Sequence, residues 1–319
     1  MNYILSACDR NYLIFAYEFV VSLFILGNFD GRFVLFYYKD ENENEEEIRD
    51  IFTEFNVDFN FISKESTEMT NVLFLDCYSF IESLSVDDKV AIYDIDVWFQ
   101  DDVNDLFNME DGIVYCSYES KQTERNPSRR SYFEKYINLY FKNLSNNIED
   151  IINNLNSQDG DILNSGLIAG TSETIKKYLQ RIYKYYDEEP NLINHFGPDQ
   201  VVLNLDYNKD YYNPNLREYN CCSVAYSIMF DVEIRDGFLY VDGKKVKAFH
   251  MQVIKNCEKF CFRYWFKDVF NSHYIKLGDK SKDILQESIK HSKQYANIKI
   301  NEKFETTILN KLLSNQMHT

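Results

Sequence analysis

Short apolar runs alternate with amphipathic stretches through the first 120 residues. Residues 3–7 form an apolar run of strand length, and the polar segment 8–12 interrupts it. Residues 13–26 are apolar at almost every position, so a helix buried on most sides is expected there. Asn28-Phe29-Asp30-Gly31 supplies turn chemistry, with Gly31 free to take a positive φ, and 32–38 follows as a second strand. The charge run 39–50 opens a solvated helix, 59–62 reads as a third strand, and 72–84 has helical apolar spacing. Residues 90–93 are fully apolar and run into Asp94-Ile95-Asp96, and 113–116 is a further strand. Strands alternating with helices predict an α/β fold: a Rossmann-like, mostly parallel central sheet flanked by helices.

The middle of the chain changes character. Residues 121–130 are polar and carry Arg125, Arg129 and Arg130, and 133–155 has a helical rhythm rich in asparagine. Residues 160–170 are compact, with three glycines; Thr171 or Ser172 can cap a helix whose inner face includes Ile175, Leu179 and Ile182. Residues 246–249 form one more strand-like piece, and 280–294 and 304–313 read as surface helices.

Composition narrows the function classes. With 319 residues, 45% of them hydrophobic and 16% aromatic, the chain can bury a large core, which excludes wholesale disorder. A formal charge of −17 excludes a general nucleic-acid binder, because a phosphate backbone needs a basic face. An acidic protein that handles an anionic ligand can use a divalent cation as intermediary. The 7 cysteines are too few for a disulfide scaffold in a chain of this size, and an odd count cannot all pair internally. Cys221-Cys222 and the Cys257/Cys261 pair lack a second tight pair for zinc, so reduced, buried thiols are expected. The start has no basic leader, and the apolar run 19–26 is shorter than the roughly 20 residues a membrane span needs. A cytoplasmic location with at most peripheral membrane contact follows as the expectation.

Four segments carry candidate chemistry. Asp94 and Asp96 lie just beyond an apolar strand, at the sheet edge where α/β folds bind ligands. At i,i+2 their carboxylates can share one side and ligate a hard divalent ion such as Mn²⁺ or Mg²⁺. The alternative for these residues alone is a polar strand end, with one Asp capping the next helix. Asn164-Ser165-Gly166 puts an amide suited to sugar hydroxyls beside a glycine that permits close backbone approach. Asp199 and Gln200 precede an apolar stretch, as ligands of an acceptor or sugar hydroxyl or simply as a helix N-terminus. His250 ends the 246–249 strand and can supply an imidazole to the ion, and Lys255 close behind it can meet a phosphate as a point charge.

Taken in order, these motifs resemble those of the GT-A fold, nucleotide-sugar-dependent glycosyltransferases, nearest to the retaining glycogenin and lipopolysaccharide galactosyltransferase type. The matching pieces are Tyr93-Asp94-Ile95-Asp96, Asp105-Leu106-Phe107, Asn164-Ser165-Gly166, Asp199-Gln200-Val201-Val202-Leu203-Asn204 and His250, across about residues 1–256. The chain departs from the pattern after His250, where Met251-Gln252 and Lys255-Asn256 stand in place of the family's glycine and Lys-Pro pair. The resemblance implies a GT-A catalytic domain over 1–260, with a donor half over about 1–120 and an acceptor half over about 121–260. A mostly helical extension over 261–319 packs on it. It implies Mn²⁺ (or Mg²⁺) held by Asp94, Asp96 and His250, and a UDP-sugar donor contacted by Ala7, Asp9, Tyr12, Asp94, Ile95, Asp96, Gly166 and Lys255. Asn164, Asp199 and Gln200 fall at the catalytic centre, the transferred hexose goes to a glycan or glycolipid hydroxyl, and retention is favoured. The rival readings are a nucleotidyltransferase or sugar-nucleotide pyrophosphorylase, and a protein-glycosylating effector or non-catalytic sugar-binding relative. The first would need a glycine-rich basic loop near the start, and residues 6–12 have no glycine and one arginine.

Overall fold

A computed structural model describes residues 1–64, 73–120, 162–188, 198–222, 232–235, 238–241 and 243–250. The expectations for the arginines of 121–130, the 133–155 helix, Lys255, Cys257, Cys261 and the 261–319 extension fall outside the described residues.

A seven-stranded sheet carries the molecule. Its strands are β1 (Asn2–Asp9), β2 (Arg32–Lys39), β3 (Val57–Ser63), β4 (Lys89–Tyr93), β6 (Val114–Ser120), β7 (Ile162–Thr171) and β8 (Tyr212–Asn213). They lie in the order β3-β2-β1-β4-β7-β6-β8. The first four are parallel, and β7 enters antiparallel to both β4 and β6. The helices are α1 (Leu13–Val21), α2 (Glu45–Ile51), α3 (Leu73–Glu82), α4 (Ser172–Glu188) and α5 (Pro198–Asp206). A π-helical turn, Ser22–Leu26, continues α1. Among the described residues no helix is long and apolar enough to cross a membrane.

The central strands read as unbroken apolar runs because both faces of the sheet are covered. Side chains alternate between two cores. Ile4, Phe33, Leu35, Ala91 and Tyr93 face α1, whose Phe19 packs 5.1 Å from Phe33 and 4.9 Å from Phe99, ring centre to ring centre. Tyr3, Leu5, Phe36, Val90 and Ile92 face the opposite way, onto Cys77 and Ile81 of α3, Ile175 and Leu179 of α4, and Val202 of α5. α4 begins where Thr171 Oγ1 accepts the Thr174 amide at 3.2 Å, the side-chain cap expected of Thr171.

In the turn before β2, Asn28 takes the positive φ, 48°, and Gly31 does not. Gly31 is required for a different reason: a Cβ there would lie 2.4 Å from the Asn2 carbonyl oxygen.

α5 is clamped to β7 by one side chain. Asn204 is 1% exposed, and its Oδ1 accepts the Leu163 amide at 2.8 Å. Its Nδ2 donates to Leu163 O at 2.9 Å and to Gln200 O at 2.8 Å. Asn204→Ala would strand both backbone groups of Leu163, so a loss of about 2–4 kcal/mol is expected in denaturant unfolding. A loss below about 0.5 kcal/mol would contradict the clamp.

A second, three-stranded sheet sits beside the first: β5 (Val97–Phe99), β13 (Ala248–His250) and β9 (Cys221–Cys222), in the order β5-β13-β9. A third sheet, β10 (Val232–Arg235), β11 (Phe238–Val241) and β12 (Lys244–Lys245), is antiparallel. Cys8, Cys77, Cys116 and Cys221 are free and buried.

Candidate functional site

β4 stops at Tyr93, and Asp94-Ile95-Asp96 turns the chain into β5. The Asp94 amide donates to Gly166 O at 3.0 Å, which fastens this turn to β7. Ile95 is 7% exposed and packs in the core, so the two carboxylates flanking it turn outward together. Any contact Ile95 makes with a ligand is therefore through its backbone.

Strand pairing brings His250 to the same place across more than 150 positions of sequence. β13 runs antiparallel to β5, with His250 opposite Val97, the residue after Asp96. The pairing is reinforced around it. Gln100 donates its side-chain amide to Val246 O, the Gln100 backbone amide donates to Lys247 O at 2.8 Å, and Lys247 pairs with Asp105. Asp105, singled out as part of a motif, thus anchors the strand that carries the histidine.

The imidazole Nε2 lies 3.0 Å from Asp96 Oδ1 and 3.3 Å from Asp94 Oδ2. One donor atom from each of the three residues falls within 4.8 Å of the others. The His250 side chain is 5% exposed, that of Asp96 14% and that of Asp94 42%, so the cluster opens to solvent on the Asp94 side. The other edge of the ring lies against β7: a Cβ at Gly166 would stand 2.5 Å from His250 Nδ1 and 2.7 Å from Asn164 Oδ1. Glycine at 166 is what lets the imidazole reach the carboxylates.

The electrostatics fit a cation. Burial raises the Asp94 carboxyl to about 7; His250 lowers it, and the neighbouring charges of Asp96 and Asp199 raise it further. Asp199, in the first turn of α5 behind Pro198, is also raised by burial. The Ser165 hydroxyl and the amides of Asp199 and Gln200 counter part of that rise. Like charges crowded in this way cost free energy alone and are relieved by a divalent ion. Two carboxylate oxygens and one imidazole nitrogen suit a hard-to-borderline metal such as Mn²⁺.

Asn164 joins the catalytic candidates. Its Oδ1 accepts the Gly166 amide at 2.8 Å and Asn220 Nδ2 at 2.8 Å, and its Nδ2 reaches Gln200 Oε1 at 3.4 Å. Asp94, Asp96, Asn164, Gly166, Asp199, Gln200 and His250 therefore form one neighbourhood. Ala7, Asp9 and Tyr12 lie at the same edge of the sheet, farther along toward β3. Leu5 is level with Ile92, and Ser6 Oγ donates to Tyr93 O at 2.8 Å, so Ala7 falls level with Asp94. Asp9 ends β1 and sits 3.3 Å from Lys64, which also pairs with Asp40 at 3.1 Å. Arg10, the basic residue of this loop, faces Glu43 at 3.7 Å. Sequence reasoning missed Ser165 as a partner of Asp199, although it lies inside a quoted motif, and missed Ser117 and Asn220, which no motif marks.

No protein-family model matches the sequence, and no curated protein matches it. Solved structures do. The galactosyltransferase LgtC, crystallised with donor and acceptor sugar analogs, aligns with a TM-score of 0.53 and 12% identity over 95% of this chain and 99% of its own. The glycosyltransferase GlyE of Streptococcus pneumoniae TIGR4 gives 0.50 and 16% identity over 90% of this chain and 63% of its own. The bifunctional WbbM gives 0.52 and 12% identity over 89% of this chain and 51% of its own. The mostly parallel sheet, the antiparallel β7 and the flanking helices are thus a Rossmann-like GT-A fold, the architecture of these glycosyltransferases.

Proposed function

We propose that the chain is a metal-dependent glycosyltransferase. It moves a hexose from a nucleotide diphosphate sugar, a UDP-sugar, to a hydroxyl of a glycan or glycolipid, with retention at the anomeric carbon. The observation that carries this reading is the meeting of Asp94, Asp96 and His250 Nε2 within 4.8 Å at the carboxyl edge of a GT-A sheet. The crystal structure of LgtC with donor and acceptor sugar analogs supports the substrate class. In LgtC itself a glutamine belongs to the active site, where a glutamate replacement has been crystallised.

In this reading Asp94, Asp96 and His250 hold Mn²⁺ (or Mg²⁺). When bound, the ion neutralises charge that develops on the departing diphosphate. The protein's part is positioning. His250, wedged against Gly166, fixes Nε2 toward the carboxylates. Asp199, held by Ser165 and by α5 amides, faces the sugar side of the site. Asn164 and Gln200 supply amides that grip sugar hydroxyls. Ala7, Asp9 and Tyr12 receive the base and ribose. The glycosylation of a protein rather than a glycan would use the same residues and differ only in the acceptor.

Donor hydrolysis across a panel of nucleotide sugars, with and without Mn²⁺, tests the proposal. Slow release of UDP from one UDP-sugar, lost on chelation of the metal, is the expected result. Absence of hydrolysis for every donor, or hydrolysis indifferent to metal, would overturn it.

A further inference from the structure

Asn220 is fully buried at the junction of β6, β7 and β9, immediately before β9. Its Nδ2 donates at 2.8 Å to Ser117 Oγ on β6 and at 2.8 Å to Asn164 Oδ1 on β7. The orientation of this amide is dictated from Gly166. The Gly166 N–H points at an Asn164 side-chain atom 2.8 Å away, so that atom must be the oxygen. The Asn220 atom facing the same oxygen must then be the nitrogen, since two carbonyl oxygens at that distance repel. With Oδ1 committed to Gly166 and Asn220, the Asn164 Nδ2 is the end turned to Gln200 Oε1, at 3.4 Å. Gln200 in turn presents its Nε2 end away from Asn164. Asn220 Oδ1 is buried with no hydrogen-bond partner among the described residues. The fold thus keeps the donor end of this amide in place at the expense of its oxygen.

We propose that Asn220 is a positioning residue for the site. By donating to Asn164 it sets which way the Asn164 amide faces, and through Asn164 it sets the orientation of Gln200 and the hold on Gly166 beneath His250. The residue touches no reacting atom; it acts through a chain of three amides whose polarity runs one way, Asn220 to Asn164 to Gln200. This deepens the proposed function and rests on Asn164 and Gln200 belonging to a glycosyl-transfer centre.

The chain of amides makes an unusual prediction about rank order. Asn220→Asp keeps the shape and replaces the donor with an acceptor aimed at Asn164 Oδ1. Asn220→Ala removes the donor without adding repulsion. If Asn220 only filled space, Ala would cost stability through its cavity and Asp through its buried charge, and neither would lower kcat in the folded protein. If it sets amide polarity, Asp is worse: kcat for UDP-sugar hydrolysis falls by about tenfold to a hundredfold. Donor KM stays within about threefold of the parent, because Asp94, Asp96 and the β1 contacts remain, and Mn²⁺ affinity falls less than in Gly166→Ala, where the ring itself is displaced. Asn220→Ala should lie between the two.

A second readout does not depend on turnover. In protein nitrogen-labelled on glycine, the Gly166 amide should exchange with solvent faster in Asn220→Asp, because the reversed Asn164 amide no longer offers it an oxygen. Equal or greater damage from Ala, or an unchanged Gly166 amide in a folded Asn220→Asp protein, would overturn the positioning role. If the Asp variant does not fold, Asn220→Ala decides: a fall in kcat at constant KM supports the role, and parental kcat refutes it. A parent protein that hydrolyses no nucleotide sugar would instead remove the transfer reading, and the Gly166 amide would still judge the chain of amides by itself.

Discussion

Replacing Asp96 with alanine is expected to lower metal-dependent nucleotide-sugar turnover by about a thousandfold or more, because several kcal/mol of leaving-group stabilisation depend on the ion it helps to hold. Asp96 Oδ1 is the carboxylate oxygen nearest to His250 Nε2, at 3.0 Å, and its side chain is the more enclosed of the two acids. The fold should survive the change. Asp96 raises the Asp94 carboxyl, so the two acids oppose one another when no cation lies between them. A carboxyl raised from 3.8 to about 7 binds its proton more tightly folded than unfolded, so it costs stability that sets in above 3.8, grows until about pH 7 and is fully present beyond it. Removing Asp96 lowers the Asp94 carboxyl and lessens that loss. Metal-free thermal unfolding at pH 8 should therefore move up or stay level, while the rise that Mn²⁺ gives the parent protein disappears. A variant that keeps full turnover, or unfolds well below the metal-free parent, would speak against this arrangement.

The second large effect is expected at Gly166, a residue with no chemistry of its own. A methyl group there would collide with His250 Nδ1 at 2.5 Å, with Cε1 at 2.6 Å and with Asn164 Oδ1 at 2.7 Å. His250 is 4% exposed and fixed within β13, and Asn164 is 2% exposed, so neither can yield cheaply. Gly166→Ala should push the imidazole off its line to Asp94 and Asp96. Mn²⁺ affinity is expected to fall by about tenfold to a hundredfold, the range seen when groups that orient a metal ligand are lost. Calorimetric titration of Mn²⁺ into the variant checks this, and parental affinity would mean that the ring does not need the space. The comparison with Asp96→Ala is informative. One change removes a ligand, the other only misdirects one, so metal added in excess should restore turnover to Gly166→Ala and not to Asp96→Ala.

The parts of this molecule that were legible in the sequence are those whose environment is simple. β1, β2 and β4 have cores on both faces, and such strands must be apolar throughout. Asp94 and Asp96 stand out because two carboxylates at i,i+2 follow directly on a fully apolar strand. The ten-residue β7 is less plain in the sequence, because Asn164, Ser165 and Gly166 interrupt its apolar pattern; they are buried all the same, satisfied by one another and by neighbours from α5 and the Asn220 segment. Gly31 is free to take a positive φ but the turn places it at Asn28, and Gly31 serves close packing against β1. Nothing in the sequence pairs position 97 with position 250; only the antiparallel register of β5 and β13 does so. Asn220 was illegible for a related reason: a lone asparagine carries no periodicity, and its meaning lies in what it faces.

The claim on which the rest depends is that Asp94, Asp96 and His250 bind one divalent cation and leave room for a nucleotide diphosphate to share it. Titration of Mn²⁺ followed by the paramagnetic resonance of the free ion, with and without UDP, tests it most directly. One ion bound per chain, held more tightly when UDP is present and lost in Asp96→Ala, is the predicted result. Binding that ignores UDP and persists unchanged in Asp96→Ala would contradict it.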